Sequence, residues 1–242
     1  MNKRIVNPLI VIYQWLIFVP VFAVATVITA LATMLFAAIF GDKRITHLPA
    51  RHWARLACYG MFMKIKVVGA EKISYSRSYV FAANHQSMYD IFLVYGWLDS
   101  RFKWIMKKEL RRIPFVGKAC ESAGHVFIDR SSPMAAKRSI EIAEKKLING
   151  ASVVIFPEGT RTKDGKLGKF KRGAFMLASE LKLPIVPITI TGTFKALPIS
   201  CVNIIPAKLT LTIHDPIVYL PEYDENHLLL VNKVHEAVAE GL

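Results

Sequence analysis

The stretch Asn84-His85-Gln86-Ser87-Met88-Tyr89-Asp90 gathers an imidazole, a hydroxyl and a carboxylate. Histidine is the natural general base near neutral pH, and a neighbouring carboxylate can fix its tautomer and orientation. On a regular helix, side chains five positions apart diverge by about 140°. His85 and Asp90 therefore meet only if His85 precedes the helix and its side chain folds back. Ser87 as N-cap would start the helix at a suitable place. The same Ser87-x-x-Asp90 spacing is a capping-box pattern, which offers Asp90 a purely structural alternative.

Two further stretches carry cations at the ends of apolar runs. Phe156-Pro157-Glu158-Gly159-Thr160-Arg161 follows the strongest strand pattern in the chain. Pro and Gly there predict a tight turn that presents Glu158 and Arg161 together. A planar guanidinium at a strand end suits a phosphate, while a buried Glu–Arg pair is the plainer reading. Gly124-His125-Val126-Phe127-Ile128-Asp129-Arg130 likewise ends in Arg130, which alone could be a surface turn. Lys107 and Lys108 end another apolar run, and Lys169, Lys171 and Arg172 follow the Glu158 turn. Each basic group by itself is an ordinary solvated face. Their common position after strands points to one surface for an anionic substrate.

The elements that must hold these residues read as α/β. Strand patterns cover 64–68, 79–83, 102–106, 126–128, 152–156, 185–191 and 209–213. Several are continuous apolar runs, as expected of strands buried on both faces. Helical patterns lie at 88–98, 134–148, 173–181 and 225–240, the second opening on Ser132 and Pro133. The last carries Leu228, Val231, Val234 and Val238 as one apolar stripe. Strands alternating with helices predict a mostly parallel sheet flanked by helices. Ligands of such sheets bind at the carboxyl ends of the strands, where these motifs fall.

The chain of 242 residues is 53% hydrophobic with a formal charge of +14. That apolar content excludes disorder. Three cysteines without a CxxC exclude a disulfide scaffold and fit reduced thiols in a reducing compartment. From Ile5 to Gly41 no Asp, Glu, Lys, Arg or His occurs. This run exceeds the roughly 20 apolar residues of a membrane span. Pro20 predicts a break near Val19. Two short helices dipping into one leaflet are then favoured over one tilted span. Basic residues on both sides (Lys3, Arg4, then Lys43, Arg44, Arg51 and Arg55) agree with both ends being cytosolic. A cleaved signal peptide is the alternative. Residues 1–43 are accordingly expected to form a membrane anchor and 44–242 the catalytic domain.

Other chemistries lack their residues. There is no GxSxG elbow, no HExxH and no Cys/His cluster with zinc spacing. Gly159, Gly165 and Lys166 resemble a phosphate loop, but the glycine spacing is wrong and Leu167 replaces the hydroxyl that would hold magnesium. The expected catalyst is side chains alone, with no metal and no cofactor.

Four of these stretches in this order resemble the glycerolipid acyltransferase family, and most closely its bacterial 1-acylglycerol-3-phosphate acyltransferases. The family's NHxxxxD motif stands at Asn84–Asp90, its GxxxxxR-like motif at Gly124–Arg130, FPEGTR at 156–161 and the apolar V-P-I segment at Val186–Ile188. Lys107–Leu110, Ile113–Gly117 and Phe170–Phe175 are also similar. The resemblance implies acyl transfer from acyl-CoA or acyl-carrier protein, as co-substrate, to the sn-2 hydroxyl of lysophosphatidic acid. It assigns His85 and Asp90 to catalysis and Arg130, Glu158, Gly159, Thr160 and Arg161 to the substrate, with Lys108 as a further phosphate contact. Pro187 and its neighbours would support the site. The implied partners are lysophosphatidic acid and membrane phospholipid, at the inner membrane with the catalytic domain on the cytoplasmic side. A related lysophospholipid acceptor is the alternative. A membrane-tethered nucleic-acid-binding protein is the remote one, and it would need aromatic residues exposed among the basic ones.

Overall fold

In the computed structural model, residues 6–41, 43–74, 76–129, 131, 134 and 151–242 are described. Beyond Met134, the helix predicted over 134–148 lies outside these residues, as does Arg130.

Seven strands form one mixed sheet in the order β1-β7-β6-β2-β5-β3-β4. They are β1 (Lys64–Val68), β2 (Val80–Ala83), β3 (Phe102–Lys107), β4 (Val126–Ile128), β5 (Ser152–Ile155), β6 (Ile185–Thr191) and β7 (Lys208–Ile213). All pairings are parallel except β6 with β7. The predicted, mostly parallel sheet is therefore present. The carboxyl ends of β2, β3, β4, β5 and β6 share one edge, and the motif loops leave from it.

Alternation along the strands feeds two cores, one on each face. Phe81 and Ala83 of β2 pack with Val186 and Ile188 of β6 on one side. Val80 and Ala82 pack with Val153 and Ile185 on the other. Covering the first face are α2 (Leu48–Tyr59) and α3 (Tyr89–Trp97). Covering the second is the C-terminal helix (His227–Glu240) through Leu230, Val231, Val234 and Val238. Leu228, expected in that stripe, is exposed instead. It sits in the first turn, where the helix is only beginning to enter the core, and Leu230 takes the inward position.

At the N-terminus a single helical rod, α1, runs from Pro8 to Phe40. The predicted break at Pro20 does not occur. A π-helical turn at Gln14–Phe18 precedes the proline, with the Val19 N–H reaching back to the Gln14 carbonyl. The wider turn takes in one more residue, which relieves the ring clash that Pro imposes on a regular helix. The chain reverses at Gly41 instead, whose φ of 65° is easy only for glycine. A short 3-10 turn then leads into α2, which packs back against α1.

The rod is docked on the domain rather than free. Its Gln14 is buried, donating to the Val202 carbonyl at 2.8 Å and accepting from the Ile204 N–H at 2.8 Å. Trp53 of α2 donates to Thr26 Oγ1 at 2.8 Å, and Phe22 stacks on Trp53. Farther along, the rod packs against α4 (Val116–Ser122). Its outward side leaves Leu9, Leu16, Val24, Ile28, Leu35 and Ile39 exposed.

Candidate active site

His85 lies between the end of β2 and the start of α3, before the helix as the spacing required. Its Nδ1 is 2.8 Å from Asp90 Oδ2. The same oxygen accepts the N–H groups of Gln86 at 2.6 Å and Ser87 at 2.7 Å. Asp90 thus does both jobs that its position allowed: it orients the imidazole and ties down the helix entry. A carboxylate can only accept, so the imidazole carries its proton on Nδ1 and leaves Nε2 with a lone pair. The helix starts one residue later than predicted, with Met88 at the cap position. Ser87 nonetheless serves this turn, because its Oγ accepts from the Tyr89 N–H at 3.2 Å and donates to the Leu197 carbonyl at 2.7 Å.

The loop after β5 holds His85 from the other side. Glu158 is buried, and its Oε1 accepts the His85 N–H at 2.6 Å while Oε2 accepts the Gly168 N–H at 2.9 Å. The His85 carbonyl accepts from the Thr162 N–H at 2.9 Å. The Phe156 ring lies flat on the imidazole, 3.9 Å between centroids and 11° between planes. The backbone N–H, backbone carbonyl, Nδ1 and one ring face are all engaged. His85 remains 14% exposed at the side chain. Burial raises the Glu158 carboxyl above its ordinary value, although its bonds to the His85 and Gly168 N–H groups pull the other way.

The remaining sequence candidates divide. Gly159 adopts φ 74°, a left-handed conformation that favours glycine in this turn. Thr160 is exposed. Arg161 is half-buried and has no carboxylate partner among the described residues. It adjoins Thr162, whose N–H meets the His85 carbonyl, so its backbone lies beside the histidine. It does not pair with Glu158, whose oxygens are both committed to backbone N–H groups. Lys108 forms an exposed ion pair with Asp129 at 2.8 Å. That contact joins the end of β3 to the end of β4, and holds the Asp129 carboxyl well below the usual range.

Three contributors went unread in the sequence. Asn84 bridges β2 to β6, donating to the Ile190 carbonyl at 2.9 Å and accepting the Ile190 N–H at 2.7 Å. Its place at the head of the motif was the available signal. Phe156 heads the FPEGTR motif, but nothing in that pattern assigns its ring to the imidazole face. Lys103 is buried between Phe102 and Trp104 and donates to the Ala123 carbonyl at 2.6 Å. Alternation sends it to the opposite face of β3 from its neighbours, and that face is covered too. Phe102, Trp104 and Phe170 are all buried and offer no stacking platform to bases.

A mixed sheet with a histidine–carboxylate pair at its carboxyl edge, and an arginine there without a carboxylate partner among the described residues, is the architecture of a group-transfer enzyme. The Acyltransferase family model matches residues 64–191, and the chain belongs to that family. Its similarity extends to a crystal structure of the 1-acyl-sn-glycerophosphate acyltransferase PlsC from Thermotoga maritima. The TM-score is 0.80 at 30% identity, covering 97% of this chain and 94% of that one. It is 35% identical to a chloroplastic 1-acyl-sn-glycerol-3-phosphate acyltransferase of Brassica napus, over 83% of this chain and 57% of the relative. Identity to the 1-acyl-sn-glycerol-3-phosphate acyltransferase of Helicobacter pylori is 36%, over 59% of this chain and 61% of that one. The chain thus spans little more than half the length of these two relatives.

Proposed function

We propose that the chain transfers a fatty acyl group from a thioester to the sn-2 hydroxyl of 1-acylglycerol-3-phosphate, giving phosphatidic acid. The observation that carries this reading is His85, engaged at every hydrogen-bonding group except Nε2, on a loop contact next to Arg161, which has no carboxylate partner among the described residues. The names of the relatives supply the acceptor.

Nε2 takes the proton of the acceptor hydroxyl as that oxygen attacks the thioester carbonyl carbon. Asp90 steadies the resulting imidazolium through Nδ1. The tetrahedral adduct collapses with cleavage of the C–S bond, and the proton on Nε2 passes to the departing sulfur. A thiolate leaves readily, so the step calls for no acyl-enzyme, metal or cofactor. Acyl-CoA or acyl-carrier protein is the co-substrate. Arg161 clamps the acceptor phosphate, with Arg130 as a second cation by family resemblance. Lys108 and Thr160 stand at the rim, and Glu158 and Gly159 shape the loop that carries Arg161.

Residues 1–43 act as the membrane anchor and 44–242 as the acyltransferase domain. At about 1.5 Å per residue the rod is roughly 50 Å long, against a hydrocarbon core of about 30 Å. Because it is tied to the domain at Gln14, Thr26 and α4, a crossing pose would drag the domain flank into lipid. Lying in the interface, it meets lipid with its outward apolar side. The domain then faces the cytoplasm at the inner membrane, where acyl thioesters and reduced cysteines belong.

The test is the purified chain in mixed micelles with lysophosphatidic acid and acyl-CoA or acyl-carrier-protein donors, with products read by mass. Phosphatidic acid bearing the donor chain is expected. Preferred acylation of a lysophospholipid with a larger head group overturns the acceptor assignment. His85→Ala should lower kcat by about 10²- to 10⁴-fold. Near-wild-type turnover in that variant would sink the general-base role.

A further inference from the structure

Behind His85 stands a column of three rings. The imidazole lies on Phe156 at 3.9 Å and 11°. Phe156 lies in turn on the Trp104 indole at 5.6 Å and 22°. Trp104, on β3, is itself held edge-on by Phe102 at 5.4 Å and 90°. The column therefore begins on one strand, crosses the end of a second, and finishes on the base of the reaction. Trp104 is 5% exposed, and its Nε1–H is buried without a hydrogen-bond partner among the described residues.

We propose that Phe156, backed by Trp104, is a positioning residue that also favours the protonated form of His85 during acyl transfer. This rests on the reading of His85 as general base. When Nε2 accepts the hydroxyl proton, the ring becomes an imidazolium lying flat on an aromatic face. A cation over a ring is attracted by the negative π-face, and more so where water is scarce. The neutral ring gains no such term. The interaction therefore grows along the reaction, which is the condition for raising kcat rather than tightening ground-state binding. Trp104 closes the far side of Phe156, so the phenyl ring cannot tilt away from the imidazole.

The experiment compares wild type, Phe156→Leu, Trp104→Leu and the double variant, with Phe156→Tyr as the rescue. Phe156→Leu removes the ring while keeping an apolar side chain. Its kcat should fall about 3- to 10-fold with the KM for the lysophosphatidate acceptor unchanged. Because the imidazolium loses its support, the acidic limb of the pH–kcat profile should move to lower pH by roughly half a unit. Trp104→Leu should move both readouts the same way by less, and the double variant should equal Phe156→Leu, since the two rings act through one stack. Phe156→Tyr should restore the wild-type limb. A limb that stays put in Phe156→Leu, with kcat and thermal stability falling together, overturns the proposal and leaves Phe156 as filler. Histidine C–H NMR titration, with the His85 signal assigned through His85→Ala, reads the same shift without substrate. If wild type transfers no acyl group but the NMR shift appears, the functional reading fails while the ring effect stands.

Discussion

At the residue scale, the site works by saturation. His85 has its Nδ1 occupied by α3 and its backbone by the loop after β5, so only Nε2 is left to meet a substrate. Glu158 is the strut between that loop and the segment after β2. Replacing it by Gln keeps the shape but turns one acceptor into a donor facing a backbone N–H. That leaves a buried donor unsatisfied, at about 1–3 kcal/mol. Glu158→Gln should therefore lower Tm by roughly 3–10 °C and reduce kcat, read by calorimetry and initial rates. An unchanged Tm would mean that the strut bears no strain. Arg161 is the opposite case, a half-buried cation with no carboxylate partner among the described residues. Arg161→Ala should raise the KM for the phosphorylated acceptor by about 10-fold or more while sparing the KM for the acyl donor. Equal effects on both substrates would count against a phosphate clamp.

At the element scale, the sheet edge and the N-terminal rod each solve a placement problem. Strands β2 and β5 are adjacent and parallel, so the loops after Ala83 and Ile155 leave side by side. Asn84 then locks the first of these loops to β6 by both of its amide groups. Gln14 plays the same part for the rod, taking a donor and an acceptor from the 202–204 loop. Gln14→Ala leaves both backbone groups unpaired on the domain side. Hydrogen exchange at the Ile204 amide should then speed up by about 10-fold or more. Unaltered exchange there would show that the rod is held by its apolar contacts alone.

For the whole molecule, charge and burial set the working conditions. The formal +14 suits the proposed function, in which the chain lies against anionic headgroups and collects phosphorylated substrates. Stability should depend on pH through His125, which is fully buried between Tyr95 and the Trp104 backbone. Burial holds it well below the ordinary histidine value, with the neighbouring His47 and Lys103 acting in the same direction. Below about pH 6.5 the unfolded chain binds a proton at this histidine that the folded chain refuses. Stability is thus full above that pH and declines as pH falls beneath it, by up to about 1.4 kcal/mol per unit. His214, shifted down mainly by burial, adds to the trend. Tm should drop between pH 7.5 and 5.5, and His125→Gln should flatten the drop. A slope unchanged by that variant would assign the acid sensitivity elsewhere.

Sequence alone determined what depends on neighbours along the chain. Apolar runs bounded by turn residues located all seven strands to within a residue or so, and alternation with helices made the sheet mostly parallel. Motif order placed His85, Asp90 and the Glu158 loop at strand ends, because a strand's end is local information. Tertiary structure decided what depends on packing from afar. A proline rule read locally broke the rod at Pro20, whereas a π turn carried the helix through and the reversal fell at Gly41. Whether Glu158 met Arg161 or the His85 backbone was decided by two strands that are neighbours in space and far apart in the chain. The ring column has the same origin, for Trp104 and Phe156 meet only because β3 lies beside β5. Such contacts are set by which surfaces a sheet brings face to face, and no periodicity along one segment encodes them.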